Sequence, residues 1–315
     1  MIYYDDKATE SFLEQWNDSS DYITAHTSGS TSAPKAIKLL KADMKASALS
    51  TCRFFDINSS SILVCPLSAD YIAGKMMIVR ALESGATLYM ERPSNKPAAI
   101  RYDDIDLIAI VPSQLQGLIK NSVINKFRNV IIGGAPLSQQ QISHIMSTGL
   151  NAYSTYGMTE TCSHVALKNI SGNDVTYHAL PGYTFTVDNR SCLVVNSSVQ
   201  SFGSLTTNDV VNLIDDSSFE WLGRHDNVII TGGLKVHPEL VEQKISNCLD
   251  RCFYIAPVAD DKWGQVVALY IEGEEFDTAE LIAGLSEILR PHELPRKVLF
   301  VKSFNRTDSG KVIRR

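Results

Sequence analysis

The chain has 315 residues, 44% of them hydrophobic and 20% charged, enough for two domains with cores of their own. A formal net charge of −6 argues against nonspecific binding to nucleic acid or to an anionic membrane. No apolar run approaches the roughly 18 residues of a membrane span. The opening MIYYDDKATE has no basic region leading into an apolar stretch, so no secretory signal is expected. The six cysteines, Cys52, Cys65, Cys162, Cys192, Cys248 and Cys252, form no C-x-x-C pair. That predicts reduced thiols in a cytoplasmic protein, not a zinc site or a disulfide framework.

In chain order, Ser61–Leu67 (SILVCPL) reads as a buried strand. Tyr71–Glu83 reads as a helix, with Met76, Val79 and Leu82 at helical spacing. Ala86–Met90 and Asp106–Val111 are strand-like, a helix follows around Ser113–Lys120, and the strand Asn129–Ile132 runs into Gly133 and Gly134. A further helix covers Ser138–Ser147. This alternation predicts an α/β domain with a mainly parallel sheet, whose ligands gather outside the carboxyl ends of the strands. From Asp174 the texture changes to short β-rich runs (VTYHAL, YTFTVD, CLVVNS, VVNLID, FEWLGR) separated by turn residues, which predicts an antiparallel β-rich subdomain. After Asp226 a smaller α+β unit is expected, with strands at Val228–Ile230, Phe253–Val258 and Val266–Ile271 and helices at Pro238–Leu249 and Thr278–Leu289. The domain division predicted is 1–225 and 226–315.

Four segments carry polar chemistry. Thr27-Ser28-Gly29-Ser30-Thr31-Ser32-Ala33-Pro34-Lys35 packs hydroxyls, a glycine and a lysine into one short stretch. Small side chains let backbone N–H groups approach an anion, so the stretch suits phosphates, although a hydroxyl-rich surface loop would read the same. It is not a Walker motif, because Pro34 occupies the second glycine position. Tyr156-Gly157-Met158-Thr159-Glu160-Thr161 follows a strand-like run and puts one carboxylate where Mg²⁺ could meet phosphate; a helix cap at Thr159 is the plainer alternative. Gly223-Arg224-His225-Asp226 leads into Gly232-Gly233 and a helix start at Pro238, or reads simply as a hairpin before a helix. Thr307-Asp308-Ser309-Gly310-Lys311 offers a lysine that could swing into another site, or a solvated basic tail.

Taken together and in this order, the four segments resemble the signature motifs of the adenylate-forming superfamily of acyl-CoA synthetases, adenylation domains and luciferases. The resemblance covers nearly the whole chain from residue 27 onward. It implies an enzyme that activates a carboxylic acid as acyl-AMP with ATP and Mg²⁺ and transfers it to coenzyme A. It also implies a mobile C-terminal domain. Thr27, Ser28, Gly29, Ser30, Thr31 and Lys35 would hold the ATP phosphates. Gly133, Gly134 and Ala135 would border the adenine, with Tyr156 and Gly157 beside the base. Thr159 would meet the α-phosphate, and Glu160 would bind Mg²⁺. Asp209 would grip the ribose hydroxyls, with Arg224 nearby. Asp226 would be the hinge, Lys311 the adenylation lysine, and Gly232 and Gly233 would line the thioester channel.

Several positions depart from the pattern. Ser32 and Ala36 stand where glycines are usual, and Asn208 stands where a glycine precedes Asp209. Only 26 residues precede the phosphate loop, so much of the usual N-terminal subdomain is expected to be missing. A homodimer would be one way to cover that side. Compactness, Cys65–Glu83 and Thr159–Leu167 are similar to the o-succinylbenzoate–CoA ligases of menaquinone biosynthesis, notably those of the Bacteroides lineage. That substrate has two carboxylates and only one is activated, so the other needs a cation or hydroxyl donors. Arg80 is expected to hold it, with Ser163 supporting, His164 flanking the pocket and Lys75 as the next choice; a plain ion pair of Arg80 with Glu83 is the competing reading. Other readings are a different aryl- or alkyl-acid CoA ligase, a standalone adenylation module that loads a carrier protein, and a non-catalytic binding protein.

Overall fold

The structure, a computed structural model, describes residues 1–26, 36–95, 97, 102–120, 126–306 and 312–314. The first half runs β1 (Ile2–Tyr3), α1 (Lys7–Asn17), β2 (Tyr22–His26), β3 (Ala36–Leu40), α2 (Lys41–Phe54), β4 (Ile62–Cys65), α3 (Ile72–Ser84), β5 (Thr87–Met90), β6 (Leu107–Ile110), α4 (Pro112–Lys120), β7 (Val130–Ile132), α5 (Gln139–Thr148) and β8 (Ala152–Gly157). A β-only stretch follows: β9 (His164–Asn169), β10 (Tyr177–Ala179), β11 (Tyr183–Val187), β12 (Cys192–Ser197), β13 (Ser204–Asp215) and β14 (Ser218–Arg224). The last part holds β15 (Ile229–Thr231), β16 (Leu234–Val236), α6 (Pro238–Ile245), β17 (Phe253–Asp260), β18 (Gly264–Glu272), α7 (Ala279–Ile288) and β19 (Lys297–Val301).

Twelve of these strands form one sheet in the order β1-β5-β4-β6-β7-β8-β9-β10-β14-β13-β12-β11. It is parallel from β1 to β8 and antiparallel from β9 onward. The parallel half is apolar on both faces, as a sheet covered by helices on both sides requires. Leu63, Cys65, Leu107, Ala109 and Ile131 join one core with Met44 and Ala48 of α2 and Met76 to Val79 of α3. Their alternate neighbours Val64, Ile108, Ile110, Val130 and Ile132 join a second core with Leu115 and Leu118 of α4 and Ile145 of α5. Side chains of a strand point to opposite faces in turn, so a single run such as ILVC feeds both cores.

The expected α/β class and antiparallel segment are present, with two differences. The polarity change occurs at β9, before Asp174, because β9 returns from β8 through a tight turn, and a short connection permits only antiparallel pairing. α6 ends at Ile245 and does not reach Leu249, because Cys248 N–H turns back onto the Ile245 carbonyl and closes the helix. The expected elements omitted β1, α1, the β2–β3 pair, α2, β9, β16 and β19. Beyond β14 the chain forms a second sheet, β16-β15-β18-β17 with β19 beside β18, whose core of Ile229, Val241, Ile255, Val267, Leu269 and Leu285 is its own. All six cysteines are free thiols. Among the described residues no helix is long and apolar enough to cross a membrane.

α3 is buried from Gly74 to Ala81, so it threads the core and does not lie on it. Gly74 makes this passage: a Cβ there would sit 2.2 Å from the Ser68 carbonyl oxygen. Alanine in a helix interior ordinarily gains up to about 1 kcal/mol over glycine. A backbone carbonyl cannot rotate away, so overpacking wins. Gly74→Ala should lower stability by about 1–3 kcal/mol, read as a fall in urea midpoint at constant m-value. A raised midpoint would mean helix propensity dominates.

Candidate active site

The turn between β8 and β9 is a single 3-10 turn, Thr159–Thr161, that brings the chain straight back on itself. Gly157 permits this: an added Cβ would lie 2.2 Å from the Ser163 carbonyl oxygen and 2.5 Å from the His164 Cα. The Thr161 hydroxyl accepts from Met158 N–H at 3.1 Å and donates to the Ser163 carbonyl at 2.7 Å, knitting the two sides of the turn. Cys162 takes a left-handed φ of 62° to complete it. Thr159 is buried, while Glu160 is exposed and makes no hydrogen bond or ion pair among the described residues. Among those residues no group of three or more His, Cys, Asp or Glu could hold a metal alone. One solvent-facing carboxylate suits Mg²⁺, which takes one or two carboxylates together with phosphate oxygens.

Asp209, on β13, is buried and fixed from both sides. The Tyr156 hydroxyl donates to its Oδ2 at 2.8 Å and Trp221 Nε1 donates to its Oδ1 at 3.2 Å. Arg224, paired with it across β13 and β14, stands 3.8 Å from Oδ1. Burial, then the neighbouring Asp209 carboxylate, pushes the Tyr156 phenol well above its usual range, so it stays a donor. The Tyr156 ring packs edge-on against Phe219 at 5.0 Å and tilts against Tyr177 at 5.8 Å. Asn208 has a structural use that a glycine could not supply. It accepts from Arg190 Nη1 at 3.1 Å and donates to Asp226 Oδ2 at 3.1 Å. Asp226 is thus tied to β13, and Arg224 lies 3.7 Å from it. One residue on, Asn227 Nδ2 donates to Glu239 Oε1 at 2.5 Å, and Gly223 leaves room for that carboxylate, since a Cβ there would be 2.3 Å from Oε2.

The second cluster lies on α3, α2 and the start of β9. Arg80 is 2% exposed, in a helix whose other buried residues are apolar apart from Lys75. Its Nη2 donates to Ser163 Oγ at 2.7 Å, and Nη1 meets only the Met77 sulfur at 3.5 Å. Its Nε is buried without a hydrogen-bond partner among the described residues. No carboxylate pairs with it among the described residues; Glu83 faces Lys45 instead, at 3.7 Å. Burial pulls the Arg80 pKa down to about 10, which leaves it protonated at neutral pH. Ser163 Oγ is also 3.3 Å from His164 Nδ1, and His164 Nε2 is 3.1 Å from Thr51 Oγ1. Burial, followed by the Arg80 cation, holds His164 well below its ordinary pKa and therefore neutral. Lys75 is placed differently: its ammonium donates to the Ala69 carbonyl and lies 5.2 Å from the Phe12 ring centroid.

The structure thus gathers Tyr156, Asp209 and Arg224 in one cluster and Arg80, Ser163 and His164 in another, with Thr159 and Glu160 on the turn between them. Gly133, Gly134 and Ala135 follow β7, where Gly134 has φ +85° and a Cβ on Gly133 would meet Thr155 Oγ1 at 2.4 Å. Gly232 and Gly233, both at positive φ, form the two-residue turn of the β15–β16 hairpin. Thr27, Ser28, Gly29, Ser30, Thr31 and Lys35, and likewise Lys311, lie outside the described residues; β2 and β3 flank the first group, with His26 opposite Ala36. Trp221 and Thr51 are site neighbours absent from the sequence-based expectations. Neither sits in a motif, and only the sheet register and the α2 packing bring them in.

Residues 4–204 match the family described as AMP-binding enzyme. A 2-succinylbenzoate–CoA ligase of Listeria monocytogenes is 25% identical over 98% of this chain and 72% of its own length. An acyl-CoA synthetase (AMP-forming)/AMP-acid ligase II-like protein of Dyadobacter fermentans is 33% identical, over 97% of this chain and 91% of that one, with a TM-score of 0.65. The o-succinylbenzoate coenzyme A synthetase of Bacillus subtilis, solved with ATP and magnesium ion, shares the fold at a TM-score of 0.83 and 20% identity, covering 92% of this chain and 68% of that one.

A buried cation with no counter-charge costs stability, and apolar replacement of buried ionic groups is often stabilising. Arg80→Met should therefore leave the fold intact and raise its stability by about 1–2 kcal/mol, measured by urea or thermal melting. A loss of more than about 3 kcal/mol, the cost of breaking a buried pair, would instead mark Arg80 as a structural residue.

Proposed function

This chain belongs to the AMP-binding enzyme family, and from that premise we propose that it is an ATP-dependent acid–CoA ligase acting on an aryl diacid of the o-succinylbenzoate type. The observation that carries the substrate class is Arg80: a buried guanidinium with an orphaned Nε–H and no protein carboxylate among the described residues. Burying such a charge is costly unless something of opposite charge arrives to meet it. The carboxylate that is not activated supplies that charge. Ser163 supports the recognition through Arg80, whose Nη2 it accepts from.

The reaction has two halves. An oxygen of the acid's carboxylate attacks the α-phosphorus of ATP, and pyrophosphate leaves. The thiol sulfur of CoA then attacks the acyl carbon, AMP leaves, and the thiol proton passes to solvent. Carboxylates are weak nucleophiles, so the protein's contribution is positioning and charge neutralisation. Asp209 is preset by Tyr156 and Trp221 to accept from the ribose hydroxyls. Thr159 and the phosphate-loop residues Ser28, Ser30, Thr31 and Lys35 orient the phosphates. Glu160 would hold Mg²⁺, which when bound offsets phosphate charge. Lys311 supplies a cation to the first half-reaction.

Residues 1–225 and 226–315 act as two domains that reorient about Asp226. The division is supported by the change of sheet after β14 and by the separate core beyond it. Asp226 is held by exposed groups, Asn208 and Arg224, whose contacts can break at small cost. In the second orientation the Gly232–Gly233 turn lines the thioester channel.

The direct test is a panel of carboxylic acids assayed for pyrophosphate release with and without CoA, with free acyl-CoA as product. Release that needs a carrier protein in place of CoA would overturn the CoA-ligase assignment. Lys311→Ala should abolish adenylate formation and largely spare thioester formation from pre-made acyl-adenylate; equal loss in both would refute the two-orientation account. Arg80→Met should lower the ratio of kcat/KM for o-succinylbenzoate over its monocarboxylic analogue 3-benzoylpropionate by about ten- to a hundred-fold, the weight of a hydrogen bond to a charged group. An unchanged ratio would remove Arg80 from substrate recognition.

A further inference from the structure

Three side chains behind Arg80 form a relay with one consistent direction. The Thr51 hydroxyl lies 3.3 Å from the Ser47 carbonyl one turn back in α2 and can donate to it. Its oxygen is then free to accept from His164 Nε2–H at 3.1 Å. That tautomer leaves Nδ1 bare, and Nδ1 accepts from the Ser163 hydroxyl at 3.3 Å. The Ser163 oxygen accepts in turn from Arg80 Nη2 at 2.7 Å. In this arrangement no hydroxyl hydrogen lacks an acceptor, which is what a buried polar group requires.

We propose that His164 and Thr51 are positioning residues for Arg80: they commit the Ser163 hydrogen inward, so that Ser163 presents only lone pairs to the guanidinium and locks its orientation. His164 is then not itself a ligand of the acid. It is buried, and both of its nitrogens face protein groups. The same locking explains how a long side chain with an orphaned Nε–H keeps one rotamer in an apolar helix. With Nη2 tethered to Ser163 and Nη1 against Met77, Nε–H and one N–H on each of the two Nη atoms remain for a carboxylate. Preorganised donors of this kind discriminate in favour of the group they were set for, because they need no reordering when it binds.

This inference rests on the reading of Arg80 as the diacid's partner, and the test separates the two. An asparagine amide oxygen falls near the position of His Nδ1, and a glutamine amide falls near Nε2. His164→Asn keeps an acceptor for Ser163, and His164→Gln keeps only the contact to Thr51. The readout is the kcat/KM ratio for o-succinylbenzoate over 3-benzoylpropionate. We expect His164→Asn to stay within about threefold of the parent ratio and His164→Gln to fall by roughly tenfold, the weight of one buried hydrogen bond to a charged group. Thr51→Val, isosteric and apolar, should lower the ratio in the same direction, and it decides the matter if a His164 variant fails to fold. Equal ratios for the Asn and Gln variants, or an unaltered ratio in Thr51→Val, would reduce the relay to core packing. If Arg80→Met collapses the ratio and His164→Gln does not, only the positioning role fails. If Arg80→Met leaves the ratio intact, the diacid reading falls and the relay falls with it.

Discussion

The approach of the Ser163 carbonyl to Gly157 is the contact on which the rest of the site depends. An added Cβ at 157 would be 2.2 Å from that oxygen, so the chain can fold back here only with glycine. The consequence is topological as well as local. Folding back through a single 3-10 turn makes β9 antiparallel to β8, which ends the parallel half of the sheet. It also leaves Glu160 exposed on the turn, buries Thr159 and His164, and sets half-buried Ser163 against Arg80. One steric allowance thus places an exposed carboxylate, Glu160, and the Ser163 contact to buried Arg80 within one short segment.

Arg80 shows the opposite economy. The helix that carries it is otherwise a core helix, and a Met or Leu at that position would pack without an unpaired charge. A cation stays in such a place when its free energy is recovered on binding something anionic. Proteins commonly give up stability at a site in this way, because the groups that bind a ligand are the ones left unsatisfied without it. The surrounding relay is neutral by construction. Burial and the nearby guanidinium both disfavour protonated His164, so Arg80 is the one charged group among Thr51, His164, Ser163 and Arg80.

Between the two sheets the contacts differ in kind. Asp209 is gripped by a phenol and an indole in buried surroundings, whereas Asp226 is reached by Asn208 and Arg224 in solvent. Buried, charge-assisted bonds hold geometry; exposed ones are exchanged for water at little net change. A rigidly held carboxylate, Asp209, therefore stands beside a loosely held one, Asp226. The Asn227–Glu239 bond and the close fit of Gly223 give the small unit a defined seat in the orientation described.

Local pattern determined much of this. Short apolar runs bounded by turn residues located β4, β6, β7 and the antiparallel strands from β10 onward, and helical spacing located α3, since period and length are properties of the chain itself. Roles could be proposed for the motif residues one by one because the resemblance to the adenylate-forming superfamily rests on short contiguous segments. Other features were invisible there. α2 lacks a clean apolar stripe: it buries Ser47, Ser50 and Thr51 beside Met44 and Ala48, so its inner face is half polar. The twelve-strand order, the early polarity switch at β9 and the use of Asn208 as a bridge all depend on pairings between distant segments. Whether Arg80 paired with Glu83 or was left for a substrate carboxylate was open in the sequence, because residues three apart on a helix are neighbours on paper. Burial decided it: α3 runs through the core, Glu83 reaches Lys45 at the surface, and the guanidinium is left inside with Ser163. The sequence by itself determined which groups are present and in what local conformation; only tertiary packing decided which of them water can reach, and for a charged side chain that difference in solvation sets its role.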